Sequence, residues 1–173
     1  MDAERGGAIL QAAEEVIAGE LDGQFPVDIF QTGLGTSTNM NVNEVLANLS
    51  SVAAGNEIGA HDPVHPNDHV NMGQSSNDTF PTAMNLSSAL LLRDELTPAL
   101  ERLHRTLLNK ADDFDHLVKI GRTHLQDATP IRLGQEFSGF AAQIENSIRR
   151  IKDAMNELAS NLAIGGTAVG TGI

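Results

Sequence analysis

The chain has 173 residues, 40% of them hydrophobic, which is enough for one domain or for one domain and part of another. Its net charge of −12 argues against nucleic acid or an anionic membrane as partner, since both need a basic surface. It has no cysteine, which excludes disulfides and thiol chemistry, no run of 18 apolar residues to span a bilayer, and 3% aromatics, too few for base stacking or a sugar platform.

The start, MDAERGGAILQAAEEV, is acidic and amphipathic, so it does not have the pattern of a signal peptide. The spacing of Ile9, Ala13, Val16 and Ile17 predicts a packing helix over 4–18, ended by Gly19 and the LDGQFP segment. The stretch 30–43, FQTGLGTSTNMNVN, is dense in uncharged donors and acceptors. Gly33 and Gly35 permit close approach or positive φ. No Gly-Lys-Ser/Thr follows, so it is not a phosphate loop. Two readings stand for it, helix capping and ligand binding. A helix follows, with Val42, Val45, Leu46, Leu49 and Val52 expected inward.

Residues 55–64 form a loop, and then comes HPNDHVNMGQSSNDTFPT, residues 65–82. His65, Asn67, Asp68 and His69 crowd together, but their spacing fits no zinc pattern, so no metal is expected. Ser75, Ser76, Asn77 and Asp78 form the cap and first turn of a helix that tolerates Pro81 near its start. That helix is expected to bury Met84, Leu91 and Leu92, and Pro98 kinks or restarts it. Leu96, Leu100, Leu103 and Leu107 carry the stripe to about Asp112.

The stretch 119–135, KIGRTHLQDATPIRLGQ, is expected to be a polar loop between two helices. It holds Arg122, Thr123, His124, Gln126, Asp127 and Thr129. His124 is open to two readings, a satisfied histidine in a solvated connection or a proton-handling group. Beyond it, Leu133, Phe137, Phe140, Ile144, Ile148, Ile151, Met155, Leu158 and Leu162 make a seam over roughly 45 Å of helix. Such a seam needs long partner helices from a bundle or an oligomer. The Gly- and Thr-rich tail LAIGGTAVGTGI stops mid-pattern. The expected fold is mostly α, with three polar loops and no continuous alternating strand. Brought together, those loops would make a neutral, donor-rich pocket for a small polar anion, with a neutral histidine to handle a proton.

The blocks QTGLGTSTNMNVNEVLAN (31–48), VHPNDHVNMGQSSNDTFPTAM (64–84), KIGRTHLQDATPIRLGQEFSG (119–139) and AIGGTAVGTG (163–172) resemble the class II fumarase branch of the fumarase/aspartase superfamily. Aspartases typically have Gln where His124 stands and Thr where Ser76 stands, so the pairing here points to fumarase. The resemblance implies long helices of a central bundle with polar active-site loops. Residues 1–74 would belong to an N-terminal domain and 75–173 to the first part of the bundle. It further implies reversible hydration of fumarate to L-malate in the tricarboxylic acid cycle, with no cofactor, in a cytoplasmic homotetramer. Each site would draw on three subunits. By position, Thr36, Asn39, Ser75, Ser76, Asn77 and Thr123 would bind substrate, and His124 would hold or activate the water. His65, Asn67 and Asp68 match the family's secondary anion site. The donors would stabilise an aci-carboxylate intermediate.

Two departures from the family pattern matter. Leu34 stands where the family has a substrate-contacting Ser, and a donor lost to a charged group costs about 1.5–3 kcal/mol. Leu34→Ser in a complete enzyme is therefore expected to lower the Michaelis constant, and equal constants would refute this. The family's catalytic Ser loop, G-S-S-x-M-P-x-K-x-N-P, does not occur in this sequence. The expectation is a fragment inactive alone, which malate formation by the purified chain would contradict. Aspartate ammonia-lyase and a non-catalytic helical oligomerisation module are the competing readings.

Overall fold

The computed structural model describes residues 1–173 apart from Thr32 and Leu34. Helix α1 (Ala3–Ile17) is capped by Asp2, whose carboxylate accepts the Arg5 N–H at 2.9 Å. A single 3₁₀ turn (Asp22–Gln24) leads to α2 (Thr36–Ala53). Gly35, at φ +66°, begins α2 without a side-chain cap. Gln31 does that work: its Oε1 accepts the Thr38 N–H at 3.0 Å and its Nε2 donates to Thr38 Oγ1 at 2.7 Å.

A π-helical turn (Pro66–Val70) and α3 (Ser76–Leu91) follow. A second π-helical segment (Leu92–Leu96) connects α3 to α4 (Thr97–Asp113). Pro98 lies at the start of α4, where its missing N–H is harmless, so it restarts the helix. Strands β1 (Val118–Thr123) and β2 (Gln126–Arg132) come next, and then the 28-residue α5 (Leu133–Ser160).

The chain divides into two compact units, one of residues 1–84 with 162–173 and one of 85–161. The first has its core where α1 crosses α2: Ala12, Leu46, Ala47, Val64 and Val70 are buried, with Ile9, Val16, Val42 and Leu49 packed around them. Each large apolar side chain taken fully from water there contributes about 1.5–3 kcal/mol. The buried face of α2 also carries Asn43, Ser50 and Ser51. The two serine hydroxyls donate back to Leu46 O and Ala47 O, so neither is left unsatisfied.

In the second unit α4 packs on α5, and Ala111, Gly134 and Ala141 are buried. Phe114, Phe137 and Phe140 stack edge to face at centroid distances of 5.3 and 6.2 Å. Backbone bonds from Leu133 N–H to Leu117 O (2.8 Å) and from Gly134 N–H to Phe114 O (3.1 Å) close the junction.

Three expectations are corrected. Residues 118–132 are an antiparallel hairpin rather than a loop, with Val118 paired to Arg132 and Thr123 to Gln126. Ile120, Thr123, Thr129 and Ile131 are β-branched and suit a pleated ribbon, but a register shift between Ile120 and Arg122 breaks their alternation. Ile17 and Val52 are exposed, because each lies in the last turn of its helix, beyond the crossing. Met84 and Leu91 are exposed as well, since no described helix or strand packs extensively against α3.

Candidate functional site

The first unit gathers Thr36, Asn39, Ser75, Ser76 and Asn77 around the start of α3. Ser75 is the residue before the helix, and its Oγ accepts the Asn77 N–H at 3.3 Å. Asp78 answers from the first turn: its Oδ1 accepts the Ser75 N–H at 2.9 Å, the reciprocal bond of a capping box. Thr36, from the start of α2, brings its Oγ1 to 3.1 Å from Ser76 Oγ. Two hydroxyls 40 residues apart in sequence therefore meet at one helix N-terminus.

Beside them is an open pocket of about 390 Å³ lined by Asn39, Asn71, Gln74, Ser75, Ser76 and Thr167, among others. Asn39 is engaged internally: its Nδ2 donates to Asn71 Oδ1 at 3.1 Å and its Oδ1 lies 2.9 Å from Thr79 Oγ1. The Thr79 hydroxyl is also 2.8 Å from Ser75 O, and its one proton serves only one of the two at a time. Asn77 donates from Nδ2 to Ala168 O, part of the pocket wall, at 3.0 Å.

Asp78 is the buried charge of the site, 1% exposed. Besides Ser75, its Oδ2 accepts the Thr167 N–H at 2.7 Å, which fastens the Gly-rich segment to α3. The Ser75 N–H, ahead of the opposing desolvation and with help from the Thr167, Thr79 and Gly165 N–H groups, holds the carboxyl below its usual 3.8. A depressed pKa stabilises the fold above the unfolded value, and that contribution is lost as pH falls through the folded one. Asp2 and Asp94 are also held low, through Arg5 and Arg93, but both are exposed and screened. In urea titrations from neutral pH to about pH 2, the parent is expected to lose stability below pH 3.8. Asp78→Asn is expected to be weaker at neutral pH and flatter in acid. Parallel curves for the two proteins would contradict this.

The secondary-site residues lie on the π-helical turn. His65 Nδ1 accepts the N–H groups of Asn67 and Asp68, both at 3.2 Å, and His69 Nδ1 accepts the His65 N–H at 2.8 Å. A ring nitrogen that accepts carries no proton, so the 3.6 Å approach of Asp68 Oδ2 to His65 Nδ1 is not a hydrogen bond. His61 stacks edge-on against His65 at 5.0 Å and reaches Glu44 Oε2 at 3.3 Å.

Thr123 and His124 belong to the second unit. Thr123 ends β1, and His124 with Leu125 forms the two-residue turn of the hairpin. Both turn residues have positive φ, 53° and 61°. His124 is exposed and makes no hydrogen bond to a described residue, and Leu125 is 95% exposed. Left-handed backbone at a non-glycine residue costs about 1–3 kcal/mol and is concentrated at functional positions. Leu34 lies outside the described residues. The sequence reading missed Asn71, Thr79 and Thr167. Asn71 and Thr79 lie within the quoted 64–84 block, and what marks them is a polar side chain recurring beside the capping residues.

The fold is that of a solved class II fumarase. The crystal structure of the recombinant enzyme from Schistosoma mansoni superposes with a TM-score of 0.92 at 47% identity, over 100% of this chain and 36% of that one. Residues 2–173 match the sequence profile described as lyase, and the chain belongs to that family. It is 60% identical over 173 residues to a protein of Halobacterium salinarum named class II fumarate hydratase, and 58% identical to one of Bradyrhizobium diazoefficiens named class II fumarate hydratase 2. In both cases the match covers 100% of this chain and 36% of the relative, so the chain spans about a third of those relatives' length.

Proposed function

We propose that this chain supplies the first part of the active site of a class II fumarate hydratase, which adds water reversibly across fumarate to give L-malate. The observation that carries this reading is identity of 58–60%, over the whole chain, to relatives bearing that name. The geometry suits it. A dicarboxylate would place one carboxylate at the start of α3, against the Ser75 and Ser76 hydroxyls and Thr36. In hydration the water oxygen bonds to one olefinic carbon and a proton is added to the other. His124, contributed by another subunit, takes the proton from the water, negative charge grows on the carboxylate beyond the second carbon, and an equivalent proton from solvent then adds to that carbon. Donors set in advance around those oxygens each lower the barrier by about 2.7–4 kcal/mol. Thr123 flanks His124, and Asn77 and Asn39 keep the pocket wall in place.

The remaining parts of the proposal follow from the same reading. The protein works in the tricarboxylic acid cycle, in the cytoplasm and without a cofactor. His65, Asn67 and Asp68 form a secondary anion site, where the His65 Nε2–H is the ring group left to meet an anion. Residues 1–74 serve an N-terminal domain and 75–173 a central bundle. A homotetramer covers Leu90, Leu96, Leu103, Leu108 and Phe140, which are exposed in the single chain.

The test is a hybrid in which residues 1–173 replace the matching segment of the Halobacterium salinarum relative. Loss of fumarate ultraviolet absorbance with formation of L-malate is expected. A folded hybrid that leaves fumarate untouched would end the reading, and ammonia release from aspartate would redirect it.

A further inference from the structure

Asn71 holds a position that the capping residues do not explain. It follows the π-helical turn, lines the pocket, and connects three elements. Its Oδ1 accepts from two amides of α2, Asn39 Nδ2 and Asn43 Nδ2, each at 3.1 Å. Asn43 is only 4% exposed, so its N–H has no water to turn to. The Asn71 Nδ2 donates to Gln74 O at 3.3 Å. That carbonyl can only accept, so the nitrogen must be on its side. The orientation of the Asn71 amide is therefore set by three neighbours at once.

This has a chemical consequence for the pocket. An amide left free to flip can offer a ligand either an acceptor or a donor. Asn71 cannot, because both acceptor directions of its oxygen are filled from α2. One Nδ2 hydrogen goes to Gln74, and no described residue takes the other. The Asn39 oxygen is turned inward in the same way, toward Thr79. The Asn71 and Asn39 oxygens are thus both committed within the fold, and what Asn71 has left for a ligand is an N–H. A carboxylate accepts only, and it matches that donor.

We propose that Asn71 is a further substrate-contacting and specificity-determining residue, an N–H donor to the substrate carboxylate whose direction is fixed by Asn39 and Asn43. The proposal rests on the fumarate hydratase reading for the identity of the ligand. Asn71→Asp is the informative substitution. It is isosteric and keeps an acceptor for both α2 amides, but it replaces the Nδ2 group, with its bond to the Gln74 carbonyl and its remaining N–H, by a carboxylate oxygen.

The experiment is a nuclear magnetic resonance titration of the 173-residue chain with fumarate and, separately, with fumaramide. The parent chain is expected to prefer fumarate. Asn71→Asp is expected to lose at least about tenfold in fumarate affinity and to reverse the preference, since fumaramide can donate to the new carboxylate. A new charge beside the pocket weakens fumarate by repulsion alone, so Asn71→Ala, which removes the donor and adds no charge, is run beside it and is expected to lose fumarate affinity as well. An unchanged order of affinities in Asn71→Asp overturns the proposal, as does the absence of any saturable fumarate binding by the parent. Parental fumarate affinity in Asn71→Ala overturns the proposal too, and that variant decides alone should circular dichroism show Asn71→Asp unfolded. The hybrid assay judges hydration separately, so the two readings can fail independently.

Discussion

Gly134→Ala is expected to destabilise the chain by about 1–3 kcal/mol, although alanine is the better helix former by about 1 kcal/mol. The reason is local crowding. A Cβ at Gly134 would press on the Ala111 carbonyl oxygen and stand 2.8 Å from Asp115 Cα and 2.9 Å from Asp115 N. These are backbone atoms, so no side chain can rotate out of the way. The C-terminal turn of α4 would have to move off the start of α5. The bonds from Gly134 N–H to Phe114 O and from Leu133 N–H to Leu117 O would lengthen with it. Gly139, five residues further along the same helix, is the internal control, because a Cβ there meets nothing within 4 Å. Gly139→Ala is expected to stabilise by about 0.5–1 kcal/mol, the ordinary propensity gain. Thermal unfolding of the three proteins checks both. Equal midpoints for Gly134→Ala and parent would show that α4 and α5 do not approach this closely.

The same crowding bears on function. The α4–α5 junction is the base from which the hairpin β1–β2 projects, and the hairpin carries His124 at its far end. A helix start that sits one methyl too far from its neighbour shifts that base. Gly134→Ala is therefore expected to lower activity in the hybrid as well as stability, through displacement of the hairpin.

The helices were legible because their apolar spacing is strong. α1 and α5 fall within a few residues of the spacing-based ranges, while α2 starts at Thr36, inside the polar stretch 30–43 that was expected to precede it. The hairpin was not legible, and its turn explains why. Two-residue hairpin turns of this kind usually have Asn-Gly or Asp-Gly, residues that tolerate positive φ. Here the positions hold His124 and Leu125, so the usual signal is absent. Exposure at Ile17, Val52, Met84 and Leu91 escaped for another reason. Periodicity locates a helix face but not how far along the helix its neighbour extends. The buried polar residues Asn43, Ser50 and Ser51 are the converse case, since a hydrophobicity pattern does not anticipate polar groups satisfied within the fold.

The site was legible in part. Ser75, Asn77 and Asp78 were assigned to a cap and first turn, and they form one. The meeting of Thr36 with Ser76 could not be read from spacing, because it depends on how α2 and α3 start beside each other. Nor could the inward turn of the Asn39 amide, which depends on Asn71 and Thr79.

His124→Asn in the hybrid enzyme is expected to lower kcat by about 10²–10⁴-fold, the usual contribution of a positioned general base, with KM changed far less. Asparagine is the right replacement for a structural reason. The turn requires φ near +53° at this position, and asparagine is among the few residues that adopt left-handed backbone readily. It keeps the size and polarity near the turn and removes only the ability to take a proton. His124→Ala would confound loss of the base with strain in the turn. Leu125→Gly supplies the second control. Leucine at φ +61° is the more strained of the pair, and glycine relieves it. If the hairpin needs only a permissive turn, Leu125→Gly should retain activity within a few-fold while His124→Asn does not. If both variants lose kcat alike, the strained turn itself sets the imidazole direction, and the leucine is part of the catalytic geometry. If His124→Asn retains parental kcat, His124 is not the base, and the water must be activated by a group outside the hairpin.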